Sequence, residues 1–159
     1  MAYPQWLPGL FNVNPWTNNT YSDLHHIFVR DFIDSQPIYR GMTIWFFPEL
    51  EDKKHVVFWH LTTRDDKLTG ERLPDLRRCE RLPWVRPVLC HPPCPEILDW
   101  DYEEGDGTIK TYVWLEKYDF VVILKKYPDE SRRLITSFWV EYQHTKRSLK
   151  GKYNQRIGA

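Results

Sequence analysis

Three strand-like segments follow one another in the C-terminal half of this chain with little between them. Ile109–Leu115 comes after the turn Glu104-Gly105-Asp106-Gly107. Phe120–Lys125 comes after Glu116-Lys117-Tyr118-Asp119, and Leu134–Val140 after Pro128-Asp129-Glu130-Ser131. Connections this short leave no room for crossover helices, so the segments are expected to pair as an antiparallel meander. Ile97–Tyr102 reads as a further strand ahead of it. A sheet of this kind needs helices to cover its apolar face, and the rest of the chain must supply them.

Upstream, residues 21–34 read as a helix with Leu24, Ile27, Phe28, Phe32 and Ile33 on the inner side. Met42–Phe47 and Val56–Leu61 read as strands of a hairpin closed by the charged loop Glu49–Lys54. Arg64–Arg72 reads as a polar loop. Pro74–Leu82 reads as a short helix, with Pro74 in its first turn, Leu76 and Cys79 inward, and Pro83 as its stop. Trp84–Leu89, fenced by two prolines, reads as extended, and Cys90–Pro95 as an irregular turn. Thr145–Arg156 closes the chain as a basic helix with Leu149 and Tyr153 as its apolar stripe.

Residues 1–20, rich in Pro, Asn and Trp and without periodicity, read as an irregular arm packed by Trp6 and Trp16. Residues 21–159 then form a single α+β domain: a helix, a hairpin and a short helix on a four- to five-stranded antiparallel sheet, with the basic helix last. The 159 residues suffice for one core, and the eight Trp, nine Tyr and eight Phe are expected mostly to fill it.

The 22 basic and 22 acidic residues cancel, so overall charge excludes no partner. Their distribution is uneven. Residues 125–159 hold nine basic and three acidic residues, net +6, against net −2 for residues 1–60 and −4 for residues 61–124. A basic C-terminal segment suits nucleic acid, and equally a solvated helix face. No apolar run approaches a membrane span. The first residues lack the charged and apolar regions of a signal peptide, and three cysteines do not make a disulfide framework, so a reduced, cytoplasmic protein is expected. Cys90-His91-Pro92-Pro93-Cys94 offers half of a zinc site and no evident fourth ligand.

The stretch that carries chemistry is Pro74-Asp75-Leu76-Arg77-Arg78-Cys79-Glu80-Arg81-Leu82-Pro83-Trp84, shortly after Phe58-Trp59-His60-Leu61-Thr62. Arg77 and Arg81 are spaced to share a helix face, and rigid guanidinium forks suit phosphate better than a core. His60, read at a strand end, supplies a proton carrier near neutral pH. The competing reading is an ordinary salt-bridged surface helix, with Asp75 and Glu80 as the partners.

These two motifs stand in order ahead of Asp119-Phe120-Val121-Val122-Ile123-Leu124, Leu134-Ile135-Thr136-Ser137-Phe138-Trp139 and a basic helix. In that order they resemble a family of phage- and prophage-associated proteins. That family resembles in turn the barnase–EndoU–colicin–RelE superfamily of metal-independent ribonucleases, many of them toxins. The resemblance covers roughly residues 25–155. It implies an active site on the open face of a four-stranded antiparallel sheet, an RNA substrate, and a cognate antitoxin or immunity protein as partner. It implies His60 as proton carrier, Arg77, Arg78 and Arg81 as phosphate-binding cations, and Thr136 as a hydrogen-bond donor to phosphate. Thr62, Lys125, Ser137, Lys146 and Arg147 are expected to bind substrate around them, with no metal or cofactor. Thr136 and Ser137, adjacent on a strand, point to opposite sides, so only one can reach the site. The alternative is a non-catalytic RNA- or protein-binding module of the same fold.

Overall fold

The computed structural model describes residues 3–159. In chain order it runs α1 (Thr20–Phe28), a wide π-helical turn (Val29–Ile33), β1 (Ile38–Tyr39), β2 (Met42–Trp45), β3 (Leu50–Glu51), β4 (Lys54–His55), α2 (Val56–Thr62), β5 (Thr63–Asp65), β6 (Arg72–Pro74), α3 (Leu76–Glu80), α4 (Leu82–Cys90), β7 (Leu98–Glu103), β8 (Ile109–Leu115), a 3-10 turn (Glu116–Tyr118), β9 (Phe120–Lys126), β10 (Arg132–Trp139) and α5 (Gln143–Asn154). Strands β7 to β10 form the expected meander, each pair antiparallel. Asp119, in the left-handed region, closes the β8–β9 turn.

The sheet is larger and less uniform than the meander alone. Its order is β1-β2-β10-β9-β8-β7, and β2 joins β10 in parallel. A purely antiparallel sheet of four or five strands is therefore replaced by a mixed one of six. The parallel pairing spans only Arg132–Ile44 and Arg133–Trp45, so beyond Arg133 this edge of β10 has no strand beside it.

Two segments read as extended are helices. Val56–Leu61 is a short β-branched and aromatic run, which periodicity cannot separate from a buried helix. It folds as α2, with Val57, Phe58, Trp59, Leu61 and Thr62 all buried. Surrounded by protein, a helix can be apolar almost all round. Trp84–Leu89 falls inside α4. Pro83 sits in its first turn, where its missing N–H costs nothing, and Pro87 forgoes a single intrahelical bond. Burial of Leu82, Val85, Val88 and Leu89 on one stripe outweighs that loss.

Smaller departures follow the same logic. The π-helical turn rotates the chain by an extra residue, which leaves Phe32 buried and Ile33 exposed. Arg64–Arg72 is a loop only in its middle, because its ends pair as β5 and β6. Cys79 is buried, while Leu76 faces outward. In the N-terminal arm Leu7 and Val13 are buried in the main core, and Trp84 Nε1 donates to the Pro8 carbonyl.

Two cores lie on the two faces of the sheet. The larger joins α1, α2 and α4 to Ile44, Val113, Val122, Leu124 and Leu134. The smaller sets Trp100, Tyr112, Trp114 and Val121 against Leu149 and Tyr153 of α5. Leu124 is fully buried at the centre of the sheet. Leu124→Ala is expected to cost about 2–5 kcal/mol in a urea unfolding titration.

Candidate functional site

A helix leaves its last carbonyls without intrahelical donors, and α2 ends where β10 has lost its strand neighbour. The two deficiencies meet. The His60 carbonyl accepts from Thr136 Oγ1 at 2.9 Å and from Arg78 Nη1 at 2.9 Å. Arg78 Nη1 also donates to the Thr63 carbonyl at 3.0 Å. Thr136 follows a β-bulge in β10, which breaks the simple alternation of that strand. Arg78 is held in turn by the Asp75 carboxylate at 3.3 Å and lies over the Phe138 ring. Arg78 and Thr136 thus meet at the His60 backbone carbonyl, and not at its ring. The histidine sits in the last turn of a helix and not at a strand end.

The His60 imidazole is exposed and lines a cleft with Phe47, Val56, Val57, Arg133 and Leu134. Partial desolvation lowers its pKa, and the cationic Arg72 and Arg78 push the same way; Asp65 and Glu51 oppose them weakly. The ring is therefore a neutral base at pH 7. Arg133 donates from Nε to the Tyr127 hydroxyl at 2.9 Å, and its guanidinium packs on Phe47 at 4.2 Å from the ring centre. Among the described residues no carboxylate forms an ion pair with Arg133. Lys125 stands directly opposite Arg133 on β9, its ammonium over the Tyr127 ring.

The other arginines of the α3 segment are placed elsewhere. The side chains of Arg77, Arg78 and Arg81 are 49%, 22% and 11% exposed, so only Arg77 is open to a ligand. Arg77 pairs with Glu80 at 3.1 Å and lines a separate cleft with Arg64, Asp75 and Trp139. Arg81 donates to the same Glu80 and to the Arg77 carbonyl, and its guanidinium lies against Trp84 and Trp139. Arg78 spends one nitrogen on backbone carbonyls. This helix is largely the salt-bridged element that its charge pattern also allowed.

Thr62 and Ser137 are buried, and Thr62 Oγ1 donates within α2 to the Phe58 carbonyl. Lys146 pairs with Asp119 at 2.9 Å and, with Arg147, lines a cleft at Trp114 beside α5. Arg133 is the member that sequence reasoning missed. The signal was present in the Arg132-Arg133 pair, since neighbours on a strand face opposite ways.

Around the cysteines, Cys94 donates to Glu96 at 2.7 Å, and His91 is bonded to the Pro87 carbonyl and stacks on Trp6. Among the described residues no three His, Cys, Asp or Glu side chains are gathered to hold a metal ion. No described helix is long and apolar enough to cross a membrane. No family model, no curated protein and no solved structure significantly matches the chain.

Removing the Arg78 guanidinium takes a donor from two backbone carbonyls, of which only that of His60 keeps a second, from Thr136. Arg78→Ala is expected to destabilise the protein by about 1–3 kcal/mol. Arg77→Ala, losing one exposed pair, should stay within about 0.5 kcal/mol. Equal effects in urea titrations would contradict this division of roles.

Proposed function

We propose that the protein is a metal-independent endoribonuclease of the barnase–EndoU–colicin–RelE kind, acting as a toxin or phage-defence effector, with the cleft between His60 and Arg133 as its active site. One observation carries the reading: an exposed imidazole, biased to its neutral form, shares a cleft with an arginine that no carboxylate neutralises. His60 takes the proton from a ribose 2′-hydroxyl. The 2′-oxygen attacks the adjacent phosphorus, and Arg133 holds the charge that builds on the phosphoryl oxygens. The bond to the 5′-oxygen breaks, that oxygen takes a proton from solvent, and a 2′,3′-cyclic phosphate remains. Thr136 and Arg78 act as positioning residues, since both grip the backbone that carries His60. A cognate antitoxin or immunity protein fits this reading as the partner that would block the cleft.

A second reading is a module of the same fold that binds RNA without cutting it. It is favoured by the placement of Arg77, Arg78 and Arg81, each already engaged by carbonyls, carboxylate or indole rings.

End-labelled RNA incubated with the protein in EDTA separates the two. Cleavage is expected to leave 2′,3′-cyclic phosphate ends, and His60→Ala should abolish it without lowering the melting temperature. Arg133→Ala should lose about tenfold or more in rate, because a hydrogen bond to a charged group is worth roughly 1.5–3 kcal/mol. Arg133→Lys should recover part of it. RNA that is retained but never cut would establish the binding module.

The pH profile adds a check on sign. The His60 pKa lies below the ordinary 6.5, so the base form persists as pH falls through that value. The rate should decline only under more acidic conditions, as the ring gains its proton. A profile already falling between pH 8 and 7 would rule out His60 as the base.

A further inference from the structure

The strand registers align one residue from each of five neighbouring strands. Trp45 pairs with Arg133, Arg133 with Lys125, Lys125 with Lys110, and Lys110 with Tyr102. Residues directly opposite one another share a face, and neighbouring strands lie about 4.8 Å apart. Three cations therefore stand side by side on β10, β9 and β8, near one end of those strands. Like charges in directly opposed positions repel, so such a row is unfavourable by itself.

The reverse face shows how the chain settles the same problem when no ligand is involved. There Arg132 opposes Lys126, and Asp101 bridges both, at 3.2 Å and 3.3 Å. The outer row has no such bridge. Among the described residues no carboxylate lies within ion-pairing distance of Lys110, Lys125 or Arg133. The acidic groups around the row are Asp106, whose carboxyl Lys110 helps to hold below the usual range, Glu130, which lines a cleft with Lys125, and Glu104, which is taken up by the Tyr112 hydroxyl and Lys152.

Lys110, Lys125 and Arg133 are each partly exposed, and only the Tyr102 end of the row is reached by α5, through Lys152. Helix α5 covers the row's face over Trp100, Tyr112 and Trp114, towards β7 and β8. At the other end stands an aromatic group. Trp45 meets Tyr127 and Phe47, with ring centres 5.3 Å and 5.5 Å apart, and Phe47 is 45% exposed. Arg133 and Lys125 pack on two of these rings.

We propose that Lys110, Lys125 and Arg133 form the phosphate track of a single-stranded RNA, whose bases stack on the Trp45–Phe47–Tyr127 group on the way to the His60 cleft. Adjacent cations with exposed aromatics at one end are the equipment of single-strand recognition, since a duplex keeps its base faces buried. This track rests on the ribonuclease reading for its choice of RNA and makes the substrate single-stranded.

The test uses a fluorescent 2′-O-methyl oligouridylate, which has no free 2′-hydroxyl to attack, with anisotropy read at several salt concentrations. Lys110→Gln and Lys125→Gln should each weaken binding and reduce the slope of log Kd against log salt by about 0.7. Trp45→Ala should weaken binding and leave the slope unchanged. Removing one of three repelling charges should leave the melting temperature equal or higher, Lys125→Arg should bind as wild type, and Lys117→Gln, on the 3-10 turn, should behave as wild type. Unchanged slopes in both lysine variants, or equal affinity for duplex RNA, would overturn the track. If the wild type cuts RNA while the row variants bind normally, the track fails and the His60 site stands. If the row behaves as stated and RNA is never cut, the His60 site fails and the track stands.

Discussion

One backbone oxygen, that of His60, ties together three elements that are remote in sequence. It ends α2, it receives the Thr136 hydroxyl from β10, 76 residues away, and it receives the Arg78 guanidinium from α3. Each donor is itself fixed. Thr136 is set by the bulge in β10, and Arg78 by Asp75, which also caps α3 by accepting the Arg78 amide. The side-chain donors supply a carbonyl that α2 leaves without an intrahelical partner, and α2 packed beside β10 covers an edge that would otherwise be a template for unwanted strand pairing. The imidazole leaves the same residue on the solvent side, so its position is set by bonds that do not involve the ring.

The sheet treats its two faces differently, and the two basic pairs of β9 and β10 show it. Lys125-Lys126 and Arg132-Arg133 each send one side chain to either face. On the inner side Asp101 neutralises Lys126 and Arg132, helped by the Thr111 hydroxyl. On the outer side Lys125 and Arg133 are held by aromatic rings and by the Tyr127 hydroxyl. A tyrosine hydroxyl and an apolar ring fix the direction of a guanidinium without cancelling its charge.

The meander was legible in the sequence because its connections are short and each strand carries one buried alternating face. Its registers follow from the same alternation. What was not legible is what depends on partners far along the chain. Val56–Leu61 has the composition of a strand and becomes a helix because Phe28, Tyr21 and the β10 edge surround it. Trp84–Leu89 carries two prolines that argue against a helix locally, and its buried stripe overrules them. The parallel contact of β2 with β10 joins distant segments over two residues, too few to leave a pattern. Residue type and order singled out His60, Arg78 and Thr136, and the structure brings these three together at the His60 carbonyl. The roles of Arg77 and Arg81 were not, since whether a guanidinium meets solvent or a tryptophan is decided by tertiary packing. Arg133 was hidden because a cation on a strand has no meaning until its cross-strand neighbours are known.

The late position of β10 has a consequence for the order in which the molecule comes into being. Helices α1 to α4 are synthesised well before the strand that holds α2 in place. The meander can form from local contacts once its own residues have left the ribosome, whereas β2, paired until then with β1 alone, must wait for β10 before it joins the larger sheet. Until Arg133 and Thr136 emerge, the His60 cleft lacks one wall and its backbone clamp. A nascent chain thus holds no complete cleft through most of its translation. On the proposed ribonuclease reading, that delay keeps the message being translated clear of a finished cleft until the chain is nearly whole.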